Sequence, residues 1–172
     1  MITEAVRRNT LILSLFAIAT AGALALTNEG TEPIIECNRQ QALQASLREV
    51  MPAERHDNVL REDYIRVSDE LLGGKKKRIY RARQNGEPAG VVMEATAPDG
   101  YGGPIDLLVG VDATGTITGV RVVPPHNETP GLGDKIETRK SDWIFSFNGK
   151  SLDNPEPARW TVKKDGGVFD AG

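Results

Sequence analysis

The sequence predicts an α+β domain, a mainly antiparallel sheet with covering helices, set behind one N-terminal transmembrane helix. Three observations carry this reading. An uncharged stretch of about 20 residues near the N-terminus has the length of a bilayer-spanning helix. Four short apolar runs follow one another between Arg78 and Val123. Turn signals at Asn85-Gly86 and at Asp112-Ala113-Thr114-Gly115 separate them at hairpin spacing.

The first element runs from Asn9 to Asn28 without a charge. Arg7 and Arg8 precede it, and Glu29 and Glu32 follow. The basic flank stays cytoplasmic, so residues 1–8 are expected inside the cell and the main domain outside, in the periplasm of a bacterium. A cleaved signal peptide is the competing reading, because Ala23-Leu24-Ala25 resembles a small-x-small cleavage site. The length of the uncharged stretch, and the helical pattern that continues past it, favour a retained anchor over 9–28. Gly22 and its neighbouring alanines suit close packing against another membrane helix.

Pro33 to Met51 then reads as an amphipathic helix, with Ile34, Ile35, Leu43, Leu47, Val50 and Met51 at mainly helical spacing. Pro52 stops it. Asn58 to Leu72 carries Val59, Leu60, Tyr64, Ile65, Leu71 and Leu72 with no single period, and Gly73-Gly74 closes it. Residues 29–74 are therefore expected as a helical linker region. Strands are expected at Arg78–Arg83, Pro88–Thr96, Ile105–Val111 and Thr116–Val123. Asp134 can cap a helix running to about Lys140. Trp143, Ile144, Phe145 and Phe147 read as core packing against the sheet, and Ala158–Val162 as a last strand.

Composition narrows the function. A chain of 172 residues leaves room for one domain of about 100–150 residues beyond the anchor. A formal net charge of −3 speaks against a nucleic-acid partner. Lys75-Lys76-Lys77-Arg78, with Arg81 and Arg83, is the one basic patch and reads as a solvated surface. Cys37 alone forms no internal disulfide and no cysteine-built metal site. His56 and His126 are too few and too isolated for a histidine metal centre. Dinucleotide, Walker-type and nucleophile-elbow motifs are missing from the sequence. Asp106 and Asp112 lie in and just after an apolar strand, so they read as partnered structural carboxylates. No side chain reads as an acid–base catalyst.

The informative stretch is Pro124-Pro125-His126-Asn127-Glu128-Thr129-Pro130-Gly131-Leu132-Gly133-Asp134-Lys135. Three prolines stiffen it, and Gly131 and Gly133 leave backbone bare. His126, Asn127, Glu128 and Thr129 place four hydrogen-bonding side chains beside that backbone. Such a loop after a hydrophobic strand can hold a flat heterocycle. Backbone N–H groups of Gly131, Leu132 and Gly133 can meet the acceptors on a ring edge. Asn127 or Thr129 can meet the rest of that edge, and Leu132 can lie against the ring face. Tyr101, in the connection Gly100-Tyr101-Gly102-Gly103-Pro104, can border the same ligand. A well-formed turn with no ligand is the plain alternative.

The order Gly100–Asp106, then the hairpin at Asp112–Gly115, then His126–Gly133 with its E-T-P-G-L-G core, resembles the FMN-binding domains of bacterial respiratory complexes. The nearest likeness is to the RnfG family of Rnf (Rsx) electron-transport complexes, with a flavin-carrying component of the sodium-translocating NADH:quinone reductase as a relative. The likeness runs from the anchor to Lys163-Lys164-Asp165-Gly166-Gly167. It implies an FMN-binding domain over 75–172, with Glu128, Thr129, Gly131, Leu132, Gly133, Asn127, His126 and Tyr101 facing the flavin. It also implies FMN joined by a phosphoester to a threonine, placed there by a flavin transferase. The attachment motif resembles D-x-x-[ST]-G-A-[ST]. Asp170-Ala171-Gly172 matches its opening, so the threonine is expected just after Gly172. A non-flavinylated relative is the alternative. By the same likeness the partners are the other membrane and peripheral subunits of an Rnf-type complex. That complex is an ion-translocating ferredoxin:NAD oxidoreductase of the bacterial inner membrane, coupled to sodium ions or protons. An anchored, non-redox scaffold protein is the reading from a different class.

Overall fold

The computed structural model describes residues 2–124 and 126–170. Pro125, Ala171 and Gly172 lie outside the described residues, so part of the stiff loop and the two residues after Asp170 do too. The chain divides into two compact units, Met1–Ala42 and Leu43–Gly172.

A single helix, α1, spans Ile2–Val50. Pro33 lies inside it without ending it, as the run-on pattern of the sequence anticipated. In the first unit its apolar residues are bare: Leu11, Leu13, Leu15, Phe16, Ile18, Leu24 and Leu26 are all exposed. Apolar surface of that extent on a helix of this length makes α1 a candidate membrane span. Thr20, Thr27 and Thr31 return their hydroxyls to carbonyls one turn back, so these three donors are satisfied within the helix.

The second unit is built on one antiparallel sheet of five strands in sequential order. They are β1 (Tyr64–Ser68), β2 (Lys76–Gln84), β3 (Glu87–Ala97), β4 (Ile105–Asp112) and β5 (Ile117–Val122). Four of these were expected. β1 emerges from the stretch expected as helical linker, because Tyr64↔Tyr80 and Ile65↔Ile79 pair across the strands. The turn between β2 and β3 has Asn85 at φ 52° and Gly86 at φ 83°, the left-handed pair that a two-residue hairpin needs.

The core lies on one face of the sheet. Tyr80, Ala82, Val92 and Leu108 point from it toward Leu47, Val50 and Met51, and all seven are buried. Glycines let the end of α1 come close. A Cβ on Gly119 would lie 2.9 Å from Val50 Cα, and one on Gly110 would strike the Val50 carbonyl. That carbonyl accepts the Thr118 hydroxyl. Beside it the buried Arg121 donates Nε–H to Glu49 at 2.5 Å and Nη1–H to the Val120 carbonyl at 2.7 Å. Its guanidinium lies 4.7 Å from the Phe145 ring centroid.

Two local expectations change. Asp134 does not cap a helix to Lys140. It sits inside a short 3-10 turn, Gly133–Ile136, whose flanking Leu132 makes no side-chain cap. The segment 158–162 is not a strand: a 3-10 turn occupies Pro157–Arg159, and only Val162 makes an isolated bridge, to Phe169. Pro157 opens that turn, just before the segment, with its φ fixed in the helical range. The basic patch stays at the surface, with Lys75 and Lys76 exposed, and four of its six side chains are ion-paired there. Arg81 and Arg83 share Asp63, Arg78 holds Glu94, and Lys77 holds Asp106.

Candidate functional site

Two loops at one end of the sheet form the candidate site. The first follows β3, and the second follows β5. Strand polarity brings them together, because β3 ends where β4 begins and β5 runs antiparallel to β4. Gly102 makes their contact possible. A side chain there would strike the Asn127 carbonyl, so only glycine lets the first loop lie against the second. The Gly102 N–H then donates to Glu128 Oε1 at 3.1 Å. The other side of the same carboxylate closes on Gly133, where an added Cβ would meet Oε2 at 2.6 Å. Glu128 thus stands between Gly102 and Gly133 and fixes the spacing of both loops.

The second loop is held by its own groups. Leu132 and Gly133 donate their N–H groups to the Thr129 carbonyl at 3.1 and 2.9 Å. Gly131, at φ 82°, donates to Asp134 Oδ1 at 2.8 Å. Asp134 is buried, and Lys140 sits 3.4 Å from its second oxygen. The three backbone donors expected to meet a ring edge are therefore engaged inside the loop. The groups that remain outward are side chains. Leu132 is 70% exposed and Tyr101 is 93% exposed. Thr129 and Asn127 are both exposed.

His126 supports this loop from behind. Its side chain is 9% exposed. The Glu128 N–H donates to His126 Nδ1 at 3.4 Å, which places the ring proton on Nε2, 3.0 Å from Glu137 Oε1. Arg139 donates to the other oxygen of Glu137 at 2.9 Å. The Arg139 hydrogen bond, with help from His126, holds the Glu137 carboxyl below the usual carboxylate range. Sequence reasoning named His126 as ligand-facing, but its ring is turned inward, onto Glu137. Asp134 and Glu137 were not identified as site residues, since nothing in their spacing marks them as loop supports.

At the far end of the chain, residues 169–170 are also held in place. Phe169 is buried and stacks on Phe147 at 4.6 Å between centroids, with Trp160 at 5.4 Å and Trp143 edge-on to Phe147 at 5.1 Å. The Trp143 indole N–H donates to the Asp170 carbonyl at 2.8 Å, and Lys163 Nζ lies 2.7 Å from its carboxylate. The aromatic cluster read as core packing thus does more than pack. It anchors Asp170, where the expected attachment motif opens, and the Phe169 before it.

Asp106 and Asp112 behave as partnered structural carboxylates. Asp106 accepts from the Thr96 hydroxyl at 2.5 Å and from Lys77 at 3.0 Å. Asp112 accepts from the Thr114 hydroxyl and backbone and from Arg55. Among the described residues, no group of three or more metal-ligating side chains comes together.

Comparison with known proteins agrees with this anatomy. Residues 1–50 match the RnfG N-terminal region, and residues 100–171 match the FMN-binding domain. The second match begins at the first loop of the site, encloses the second loop and ends beside Asp170. The chain is 48% identical over 169 residues to the G component of the ion-translocating oxidoreductase complex of Pseudoalteromonas atlantica, covering 97% of this chain and 78% of that protein. The same component of Vibrio vulnificus is 46% identical over 168 residues, with 97% and 79% covered. That of Escherichia coli K12 is 46% identical over 167 residues, with 97% and 81% covered.

Proposed function

The chain belongs to the RnfG family, the G components of ion-translocating oxidoreductase complexes, and we propose that it is the membrane-anchored member that relays electrons through a covalently bound FMN. The observation that carries this reading is the two-loop assembly joined at Glu128, which lies wholly within the segment matching the FMN-binding domain. The residues present suit a flat ring. Leu132 and Tyr101 offer apolar surface to its faces, and the Asn127 amide and Thr129 hydroxyl can hydrogen-bond its polar edge. Gly131 has open space around its α-carbon, so a ring can approach the backbone there. Glu128, Gly133 and His126 act from behind, by fixing the loops that carry those groups. When bound, FMN supplies the redox chemistry, accepting and passing on single electrons. The protein's part is to hold the ring, exclude water from one side and set the polarity at its edge.

The phosphate end is handled differently. Gly131, Leu132 and Gly133, the bare backbone of the loop, have no N–H group left for an anion. A phosphoester to a threonine just after Gly172, made by a flavin transferase, removes the need for a separate phosphate cradle. The grip of Trp143 and Lys163 on Asp170 supports this, because it leads the chain toward the expected threonine from a fixed point. Arg7 and Arg8 before the apolar stretch, with Glu29 and Glu32 after it, support a periplasmic domain on a single span. The wider role follows from the resemblance: electron flow between ferredoxin and NAD, coupled to sodium ions or protons.

The test is to express a chain that continues past Gly172 together with a flavin transferase, and to look for flavin fluorescence on a denaturing gel. A fluorescent band that disappears when the first threonine of the following motif is replaced is the expected result. A colourless polypeptide would favour the scaffold reading instead.

A further inference from the structure

We infer that the two-loop site, read as the flavin seat proposed above, selects the isoalloxazine ring and not the phosphate. Riboflavin and FMN then enter it equally well before any covalent bond is made. Backbone N–H groups that bind a phosphate stand free and converge outward. Here both loops use theirs internally. The Gly102 N–H goes to Glu128 Oε1, and the Gly103 N–H goes to the Gly100 carbonyl at 3.1 Å. The Gly131 N–H goes to Asp134 Oδ1, and those of Leu132 and Gly133 go to the Thr129 carbonyl. These five amides belong to the barest backbone of the site, where a phosphate could come closest.

Charge points the same way. Residues 98–104 and 123–140 carry four carboxylates, Asp99, Glu128, Asp134 and Glu137, against three cations, Lys135, Arg139 and Lys140. Two of the cations are engaged from within: Arg139 holds Glu137 at 2.9 Å, and Lys140 lies 3.4 Å from Asp134. Among the described residues, Lys135 is the one cation of these loops without a carboxylate partner, and it is exposed. A phosphate dianion brought here meets more carboxylates than cations. The ring meets the groups that face outward: Leu132, Tyr101, the Asn127 amide and the Thr129 hydroxyl. Choice of FMN over other flavins then falls to the enzyme that makes the covalent bond, and this chain supplies only the seat for the ring.

The test titrates the 172-residue chain, in detergent, into riboflavin and separately into FMN, and reads the fluorescence anisotropy of the flavin. Expected are dissociation constants that agree within about threefold and change little between about 20 mM and about 300 mM salt. Leu132→Asp is expected to weaken both flavins alike, and Lys135→Gln neither. A charge-assisted contact to the phosphate would make FMN bind about tenfold or more tighter than riboflavin, with the preference lost at high salt or in Lys135→Gln. That result would overturn the inference and leave the flavin seat standing. Binding of neither flavin, or binding that Leu132→Asp leaves untouched, would sink the two-loop seat itself and this inference with it.

Discussion

The Glu128 carboxylate accepts the Gly102 N–H at 3.1 Å across 26 positions of sequence and so ties the loop after β3 to the loop after β5. A hydrogen bond to a charged acceptor contributes about 1.5–3 kcal/mol. Glu128→Ala is expected to lower thermal stability modestly and to strip hydrogen-exchange protection from the Gly102 amide. Glu128→Gln keeps an acceptor and is expected to retain most of that protection. Amide exchange at Gly102 in the two variants checks the assignment.

The close approach of Val50 to Gly110 and Gly119 makes a second expectation specific. Gly119→Ala places a methyl group 2.9 Å from Val50 Cα, and Gly110→Ala meets its carbonyl. Overpacking of this kind costs about 1–3 kcal/mol. Each variant is expected to melt several degrees lower, whereas Gly22→Ala, with nothing within 4 Å, is expected to leave the melting temperature of the sheet domain unchanged. Thermal denaturation followed by near-ultraviolet circular dichroism separates the outcomes.

Arg121 tests a different interaction. It is buried, ion-paired to Glu49, bonded to the Val120 carbonyl and stacked on Phe145. Arg121→Lys keeps the charge but loses the planar stack and one of the two donor directions. It is expected to be destabilised by about 1–2 kcal/mol, and Arg121→Ala by more, because stem packing is lost too. Urea midpoints of the two variants measure the order. Equal stability of Arg121→Lys and the parent would contradict the role given to the stack.

Acid sensitivity follows from the carboxylates. The Thr96 hydroxyl, and then Lys77, hold Asp106 below the ordinary value. The Thr114 hydroxyl does the same for Asp112. For a carboxyl depressed by folding, the stabilising contribution is complete above the unfolded value of about 3.9 and is lost as pH falls through the lower folded value. The melting temperature is therefore expected to hold from neutral pH to about pH 4.5 and to fall below about pH 4. Asp106→Asn is expected to melt lower at neutral pH and to lose part of that acid dependence.

Legibility in the sequence tracked how local each signal was. The Asn85-Gly86 turn, the apolar run from Ile105 and the uncharged stretch before Glu29 are each decided by neighbours in sequence, and all three stand in the structure. β1 was hidden because Tyr64 and Ile65 become a strand only by pairing with Tyr80 and Ile79, far along the chain. The helix expected from Asp134 failed for a local reason: its carboxylate bonds back to Gly131, ahead of the turn, and so braces the loop. The loop itself was recognisable from its prolines and glycines. Which of its groups face outward was not, because the engagement of the Gly131, Leu132 and Gly133 amides depends on a fold within the loop that no residue pattern announces.

The most direct measurement is nuclear Overhauser contact between flavin ring protons and the protein, in the flavin-loaded longer chain. Contacts to the Leu132 methyl groups and to the Tyr101 ring are expected, with none to the core residues Val92 and Leu108. A bound, covalently retained flavin whose ring protons contact neither Leu132 nor Tyr101 would contradict the two-loop site.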